Sequence, residues 1–117
     1  MEQPEAAKLL RVHIGRSDQF HGKPLYEAIV DRCRELHIEG ATVLAGHEGY
    51  GETGRIQRHH LTDPDEPLVV IVVDTASNIA RLAPVLEEMI HTGVMAMSDV
   101  EIRRIERPSN PSASLPG

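Results

Sequence analysis

LVVIVV, at residues 68–73, is an unbroken apolar run in which every residue after the leucine is β-branched. Such a run is typical of a strand that is buried on both faces, either at the centre of a sheet or in a subunit interface. The two prolines of residues 62–67 restrict the residues before them to extended conformations and indicate a turn ahead of this strand. The run therefore predicts a central strand and an oligomeric protein.

Two strands and a helix are predicted before this run. Residues 9–14 alternate between apolar and polar side chains, as a half-buried strand does, and residues 41–45 form a short apolar strand. Between them, Pro24 suits the first turn of a helix, and Gly40 is the expected terminator. Helical spacing predicts that one stripe is buried, namely Leu25, Ile29, Cys33 and Leu36.

A second helix and a last strand are predicted after the run. Asp74, Thr75 or Ser77 can cap the helix, and Pro84 removes one of its backbone hydrogen bonds. We expect residues 94–97 to form a connection and residues 100–105 to form the last strand.

The resulting order, βαββαβ, is that of the ferredoxin-like α+β fold, in which two helices cover one face of a four-stranded antiparallel sheet. The length of 117 residues fits one domain. We place that domain at residues 8–106, after a flexible lead-in at residues 1–7. Residues 107–117 are rich in Pro, Ser and Asn, which predicts a disordered tail.

A stretch rich in glycine and charge separates the second and third predicted strands. It reads HEGYGETGRIQRHH at residues 47–60, which is far longer than the usual connection of about 4–6 residues. We therefore expect a mobile recognition loop over residues 48–62. The backbone amides of Gly46, Gly49 and Gly51 could approach a phosphate as an anion nest; alternatively, these glycines only permit sharp turns.

Several basic residues are candidate phosphate ligands. Arg103 and Arg104 lie near the end of the last predicted strand, where a guanidinium could hold a phosphate through two hydrogen bonds. Lys23 precedes the first helix and could meet an anion at the helix N-terminus. Arg55 and Arg58, in the loop, could meet a phosphate or an acidic partner. For each residue the alternative is an ordinary solvated charge.

Composition argues against a nucleic-acid-binding protein. The net charge is −6 and aromatic residues make up 3% of the chain, whereas such proteins rely on clustered Lys and Arg or on aromatic stacking surfaces. Cys33 is the only cysteine, so an intramolecular disulfide is excluded. No N-terminal stretch is ordered like a signal peptide, and no apolar run approaches the ~20 residues of a membrane span. We expect a cytoplasmic protein without direct membrane insertion.

The sequence resembles the PII-like proteins grouped as domain of unknown function 190, relatives of the nitrogen-regulatory PII signalling proteins. The resemblance covers residues 8–106 and rests on GKPLYEAIV at residues 22–30, GATV at 40–43, GHEGYG at 46–51, LVVIVVD at 68–74, and Gly93 with Val100. It implies a homotrimer that binds an adenine nucleotide in clefts between subunits. It also implies that residues 48–62 report occupancy to a partner protein, by analogy a membrane transporter.

The resemblance also implies which residues form the site. VMAM at residues 94–97 replaces the glycine- and lysine-bearing continuation that follows Gly93 in PII proteins, so AMP or ADP is favoured over ATP. Glu52, Arg55 and Arg58 are the candidate contacts to a partner protein. The candidate nucleotide-binding residues are Lys23, Gly46, Gly49, Tyr50, Gly51, Gly93, Arg103 and Arg104.

Three other functions are alternatives to nucleotide binding. His47, His59 and His60 flank the loop and could bind a divalent metal, as in trimers of the cation-tolerance type, although adjacent histidines of a strand point to opposite faces. Ser17, Asp18 and His21 have the side chains of a hydrolase, but nothing supplies an oxyanion hole, so we expect no enzyme and no resident cofactor. The third alternative is an interaction protein without a small ligand.

Overall fold

A computed structural model describes residues 5–46, 48–50, 56–58 and 66–108. The elements run in the order β1 (Glu5–Gly15), β2 (Gln19–Phe20), β3 (Lys23–Pro24), α1 (Leu25–Glu35), β4 (Ala41–Ala45), β5 (Glu48–Tyr50), β6 (Ile56–Arg58), β7 (Pro67–Thr75), α2 (Ala76–Met89) and β8 (Val94–Ile102).

The main sheet has the strand order β4-β7-β1-β8, and every neighbouring pair is antiparallel. Each helix therefore connects two parallel strands that have a third strand between them, which is the split βαβ arrangement. Two short hairpins, β2–β3 and β5–β6, lie outside this sheet. The predicted ferredoxin-like α+β fold is confirmed.

The core lies between the two helices and one face of the sheet. In β7, Leu68, Val70 and Val72 are at most 2% exposed and point into this core. Ile29, on α1, and Leu82, on α2, are fully buried against it. The helices thus bury only one of the two faces of the apolar run.

The opposite face of the sheet, here called the open face, is covered by neither of the two helices in the described ranges. Strand register aligns its residues in rows across the four strands; one row joins Leu44, Val69, His13 and Val94. Leu44 and Val94 are 49% and 52% exposed, although both are large apolar side chains. Further residues of the open face that are half-buried or exposed are mostly apolar and include Leu9, Arg11, Thr42, Ile71, Val73, Ala96, Ser98 and Val100.

Local hydrogen bonds define the start of α2 and the end of α1. The Thr75 hydroxyl accepts a hydrogen bond from the Asn78 amide, so Thr75 is the N-cap of α2. The end of α1 comes earlier than the predicted terminator, Gly40. His37 adopts a positive φ of 59°, and the Ile38 amide donates to the Cys33 carbonyl. This is the Schellman arrangement, here without glycine at its left-handed position.

The last strand differs most from its prediction. Residues 94–97 are not a connection; they form the first half of β8 and pair with β1 as far as His13. The strand ends at Ile102, so Arg103 and Arg104 follow it. Because β8 is an edge strand with both faces partly exposed, its side chains do not alternate cleanly. At the other terminus, β1 begins at Glu5, ahead of the predicted boundary at residue 8.

Candidate functional site

The sheet has two ends, and the candidate residues fall at both. At the loop end, β1 and β4 finish and β7 and β8 begin, which brings together Gly15, Gly46, Glu66 and Gly93. At the far end, β1 and β4 begin and β7 and β8 finish, and residues 103–104 follow directly. The chemistry of the two ends is different.

Gly46 occupies a position of close backbone approach at the loop end. Its amide donates to the Pro67 carbonyl at 2.7 Å, and a Cβ at this position would lie 2.8 Å from the Pro67 Cγ. Glycine is therefore required by packing against the start of β7. Since this amide is already hydrogen-bonded, an anion bound here needs other donors than the Gly46 N–H.

Gly93 also packs closely, against the end of β1. A Cβ at Gly93 would lie 2.9 Å from the His13 carbonyl oxygen, which is a backbone atom that cannot readily move. Beside this turn lies a small cavity of about 160 Å³. Its lining comes from α2 and the start of β8, and includes Glu87, His91 and Met95.

At the loop end, an ion pair that the sequence did not predict joins the residue after β1 to the residue before β7. The Nε and Nη2 atoms of Arg16 both donate to Oε1 of Glu66, and the Arg16 amide donates to the Glu66 carbonyl at 2.8 Å. Glu66 is 1% exposed. The hydrogen bonding of Arg16 to the Glu66 carboxylate is the main reason that the pKa of Arg16 is raised. Fifty positions separate the two residues, and only the register of β1 with β7 brings them together.

A buried carboxylate organises the far end. Asp74 is 3% exposed and accepts hydrogen bonds from the Glu39 amide at 3.0 Å, the Thr75 amide at 2.6 Å and the Asn78 side chain at 2.9 Å. Burial raises its pKa, but these three donors and the charge of Arg104 outweigh burial, so the net pKa is lowered. Asp74 thereby ties the α1–β4 connection to the start of α2.

Arg104 lies beside this cluster and is paired with Glu39. Two nitrogens of its guanidinium contact the two carboxylate oxygens of Glu39, each at 3.0 Å. A phosphate bound by Arg104 would have to compete with that carboxylate. Arg103 is exposed.

Lys23 belongs to the β2–β3 hairpin, whose turn contains His21 and Gly22 at φ values of 49° and 84°. Its ammonium is paired with Asp31 on α1, and this hydrogen bond is the main cause of the raised pKa of Lys23 and the lowered pKa of Asp31. The pair lines an open groove of about 640 Å³ along α1. Lys23 is therefore engaged with its own helix.

The remaining candidates lie in or beside the loop. Gly49 and Tyr50 are in β5 and Arg58 is in β6, where Gly49 pairs with Gln57. Gly51, Glu52 and Arg55 lie outside the described residues, as do His47, His59 and His60. Within the described ranges, no group of three His, Cys, Asp or Glu side chains could hold a metal ion.

The distance between the two ends of the sheet determines which candidate residues of one chain can contact the same ligand. Gly93 and Arg103 bracket the nine residues of β8, and at about 3.3 Å per residue they lie roughly 33 Å apart along the strand. A mononucleotide cannot bridge that distance. Within one chain, the loop-end candidates and the two far-end arginines therefore cannot contact one ligand.

Comparisons with known proteins identify relatives of the whole domain. The model of the DUF190 family, described as an uncharacterized group, matches residues 7–102. A UPF0166 protein of Aquifex aeolicus is 37% identical over 99 residues, which is 81% of this chain and 91% of that protein. In the described part of the chain, no helix is long and apolar enough to cross a membrane.

Solved structures share the fold at low sequence identity. CPII, a nitrogen regulatory PII-like protein from Thiomonas intermedia K12 bound to ADP, AMP and bicarbonate, matches with a TM-score of 0.65 and 14% identity, over 87% of this chain and all of that one. CutA1 from Oryza sativa matches with a TM-score of 0.59 and 13% identity, over 88% of this chain and 85% of that one. These likenesses establish the fold.

Proposed function

This chain belongs to the DUF190 family, and we propose that it is a PII-like regulatory protein of the cytoplasm that binds an adenine nucleotide between subunits. In this proposal AMP or ADP is the ligand. Occupancy changes the docking of residues 48–62 on a protein partner, for which a membrane transporter is the proposed class.

The observation that carries the proposal is the division of the candidate site between the two ends of the sheet. Gly46, Gly93 and the β5–β6 hairpin belong to the loop end, whereas Arg103 and Arg104 belong to the far end. If both groups contact one nucleotide, they must come from different chains. A site that is incomplete in one subunit is what binding in a cleft between subunits requires.

The open face supports assembly into the proposed homotrimer. It presents apolar side chains from all four strands, and its large residues Leu44 and Val94 are about half exposed in the single chain, while β1 also contributes Arg11 and His13. Burying such a surface stabilises an assembly by about 25 cal/mol for each Å² removed from water. Packing three open faces together would also bury the second face of the apolar run at residues 68–73.

The choice of nucleotide rests on two observations. CPII, which shares the fold, has been crystallised with ADP and AMP. In this chain, residues 94–97 pair with β1 instead of forming a glycine-rich loop, so the turn at Gly93 offers few backbone amides to a third phosphate. We therefore propose AMP or ADP in preference to ATP.

Signalling requires that the nucleotide bind one loop state more tightly than another. A coupling of about 1–3 kcal/mol, typical of allosteric proteins, changes partner affinity by about 5- to 150-fold. The loop is directly connected to the sheet, because the Gly46 amide and the Arg16 amide bond to two consecutive carbonyls, those of Pro67 and Glu66. Through these contacts, a ligand bound at the loop end can act on residues 48–62.

Calorimetry on purified oligomer tests the proposal, with AMP, ADP, ATP and cyclic di-AMP titrated in turn. We expect saturation near one ligand per subunit, with AMP or ADP binding more tightly than ATP. Replacing Gly49 and Gly51 together with valine should abolish binding without unfolding the protein. Absence of binding by any of the four, with the oligomer intact, would refute the proposal. Uptake of zinc or copper would then favour the metal-binding alternative.

A further inference from the structure

We infer that Arg16 is an anion-binding residue of the loop end, which holds the phosphate part of the ligand while Glu66 positions its guanidinium. This inference rests on the proposed function and adds a residue to its site. The ligand class is a phosphate-bearing molecule.

The Arg16 guanidinium has two edges that can each form a pair of hydrogen bonds. Glu66 takes the edge formed by Nε and Nη2, and both bonds converge on the single oxygen Oε1. In the described part of the chain, the edge formed by Nη1 and Nη2 is left for another acceptor. The Arg16 side chain is 35% exposed, whereas that of Glu66 is 2% exposed, so a dissolved anion can reach the arginine.

Glu66 makes that arginine rigid. A carboxylate buried this deeply must keep a cation beside it, because an unpaired charge in the interior is strongly unfavourable. The backbone bond from the Arg16 amide to the Glu66 carbonyl fixes the same two residues a second time. The guanidinium is therefore held in one orientation before a ligand arrives, which reduces the ordering cost of binding.

The location matches the proposed site. β1 and β4 lie on either side of β7, so Arg16 and Gly46 are separated by two strand spacings, about 9–10 Å. An anion between them is within reach of the long arginine side chain. Arg16 also supplies the donor that Gly46 cannot, since the Gly46 amide is bonded to Pro67. A planar guanidinium is well suited to bind phosphate through two hydrogen bonds.

Two variants separate the charge of Arg16 from the stability of the pair. Glu66→Gln keeps the arginine and removes the buried charge. Adding Arg16→Gln to it removes the cation without leaving a carboxylate unpaired, which protects the fold. Arg34→Gln, on the exposed side of α1, is the matched control for loss of one positive charge. Circular dichroism confirms that each variant is folded.

The titration uses ADP, adenosine and inorganic pyrophosphate on the intact oligomer. Relative to Glu66→Gln, the double variant should bind ADP about 10- to 100-fold more weakly, the effect of one lost charge-assisted contact. Adenosine affinity and the Arg34→Gln control should be unchanged. Equal ADP affinity in the two Glu66 variants would overturn the inference. So would an equal loss of adenosine affinity, which would indicate a structural role.

Pyrophosphate distinguishes failure of this inference from failure of the proposed function. If no adenine nucleotide binds but pyrophosphate binds and requires Arg16, the anion site stands and the nucleotide assignment falls. If nucleotides bind and Arg16 is irrelevant, the proposed function stands and this inference falls. If neither ADP nor pyrophosphate binds to the wild-type protein, the anion site is refuted.

Discussion

The division of the candidate site between two ends of the sheet predicts complementation between two inactive chains. One chain carries Gly49→Val, in β5 beyond the loop end of β4, together with Gly51→Val. The other carries Arg103→Ala and Arg104→Ala at the far end, beyond the last residue of β8. Each variant alone should form an oligomer that does not bind ADP. Co-refolding the two from urea in equal amounts should restore part of the binding.

The restored fraction follows from the arrangement of the subunits. In a cyclic oligomer, each cleft takes its loop end from one subunit and its far end from the neighbour. With random mixing, the loop end of a given cleft is unmutated in half of the clefts, and so is its far end. Both ends are therefore unmutated in about one quarter of the clefts, and these should bind ADP. If each site were built within one chain, no intact site could form and the restored fraction would be about zero.

A second mixture provides the control. A chain carrying all four substitutions is mixed in equal amounts with the wild type. Shared clefts again predict about one quarter of the wild-type capacity, whereas sites within one chain predict about one half. Capacity is measured by calorimetry at saturating ADP, with chain exchange checked by two affinity tags. Capacities near zero and one half in the two mixtures would refute the shared cleft, and full binding by the arginine variant would remove the far end from the site.

Two further predictions concern stability and assembly. Asp74→Asn should lower the free energy of unfolding by about 2–4 kcal/mol at pH 7, because one of three donors loses its acceptor and the other two bond to a neutral oxygen. Since the folded pKa of Asp74 is lowered, its stabilisation is present above the unfolded pKa of about 3.9 and is lost as the pH falls through the folded pKa. Urea unfolding should therefore show the two proteins converging in acid. Glu88→Gln, on the exposed side of α2, is the control, and a difference between the wild type and Asp74→Asn that is independent of pH would contradict this assignment. Ile71→Glu, at the centre of the open face, should convert the oligomer to monomers in sedimentation velocity, whereas Glu88→Gln on the exposed side of α2 should not. An oligomer that stays intact with Ile71→Glu would show that this face is not the interface.

Much of the fold was predictable because it follows from local periodicity. The alternation in β1 and the stripe of α1 each describe an element with one clearly buried side, and the apolar run in β7 describes a central strand. Prediction was wrong at residues 94–97, which belong to β8. An edge strand with two half-exposed faces has no regular pattern, so only its pairing with β1 identifies it.

The candidate site was less predictable than the fold. Gly46 and Gly93 were singled out as phosphate contacts, but the packing of Pro67 and of the His13 carbonyl is sufficient to require glycine at each position. Arg104 is a predicted phosphate ligand near the end of the last strand, and its pairing with Glu39 could not be predicted from spacing. Contacts between distant residues depend on register.

By itself, the sequence determined the order of the two helices and the four strands of the main sheet, the ferredoxin-like fold and the family, since these depend on hydrophobic periodicity and on short motifs of residues close together in the chain. Only the tertiary structure decided which residues share an end of the sheet. The strand order β4-β7-β1-β8 places Arg16 against Glu66 across fifty positions and separates Gly93 from Arg103, which are ten positions apart, by the length of a strand. Which residues lie close together in a sheet depends on how the strands pair, and hydrophobic periodicity within one element does not specify that pairing.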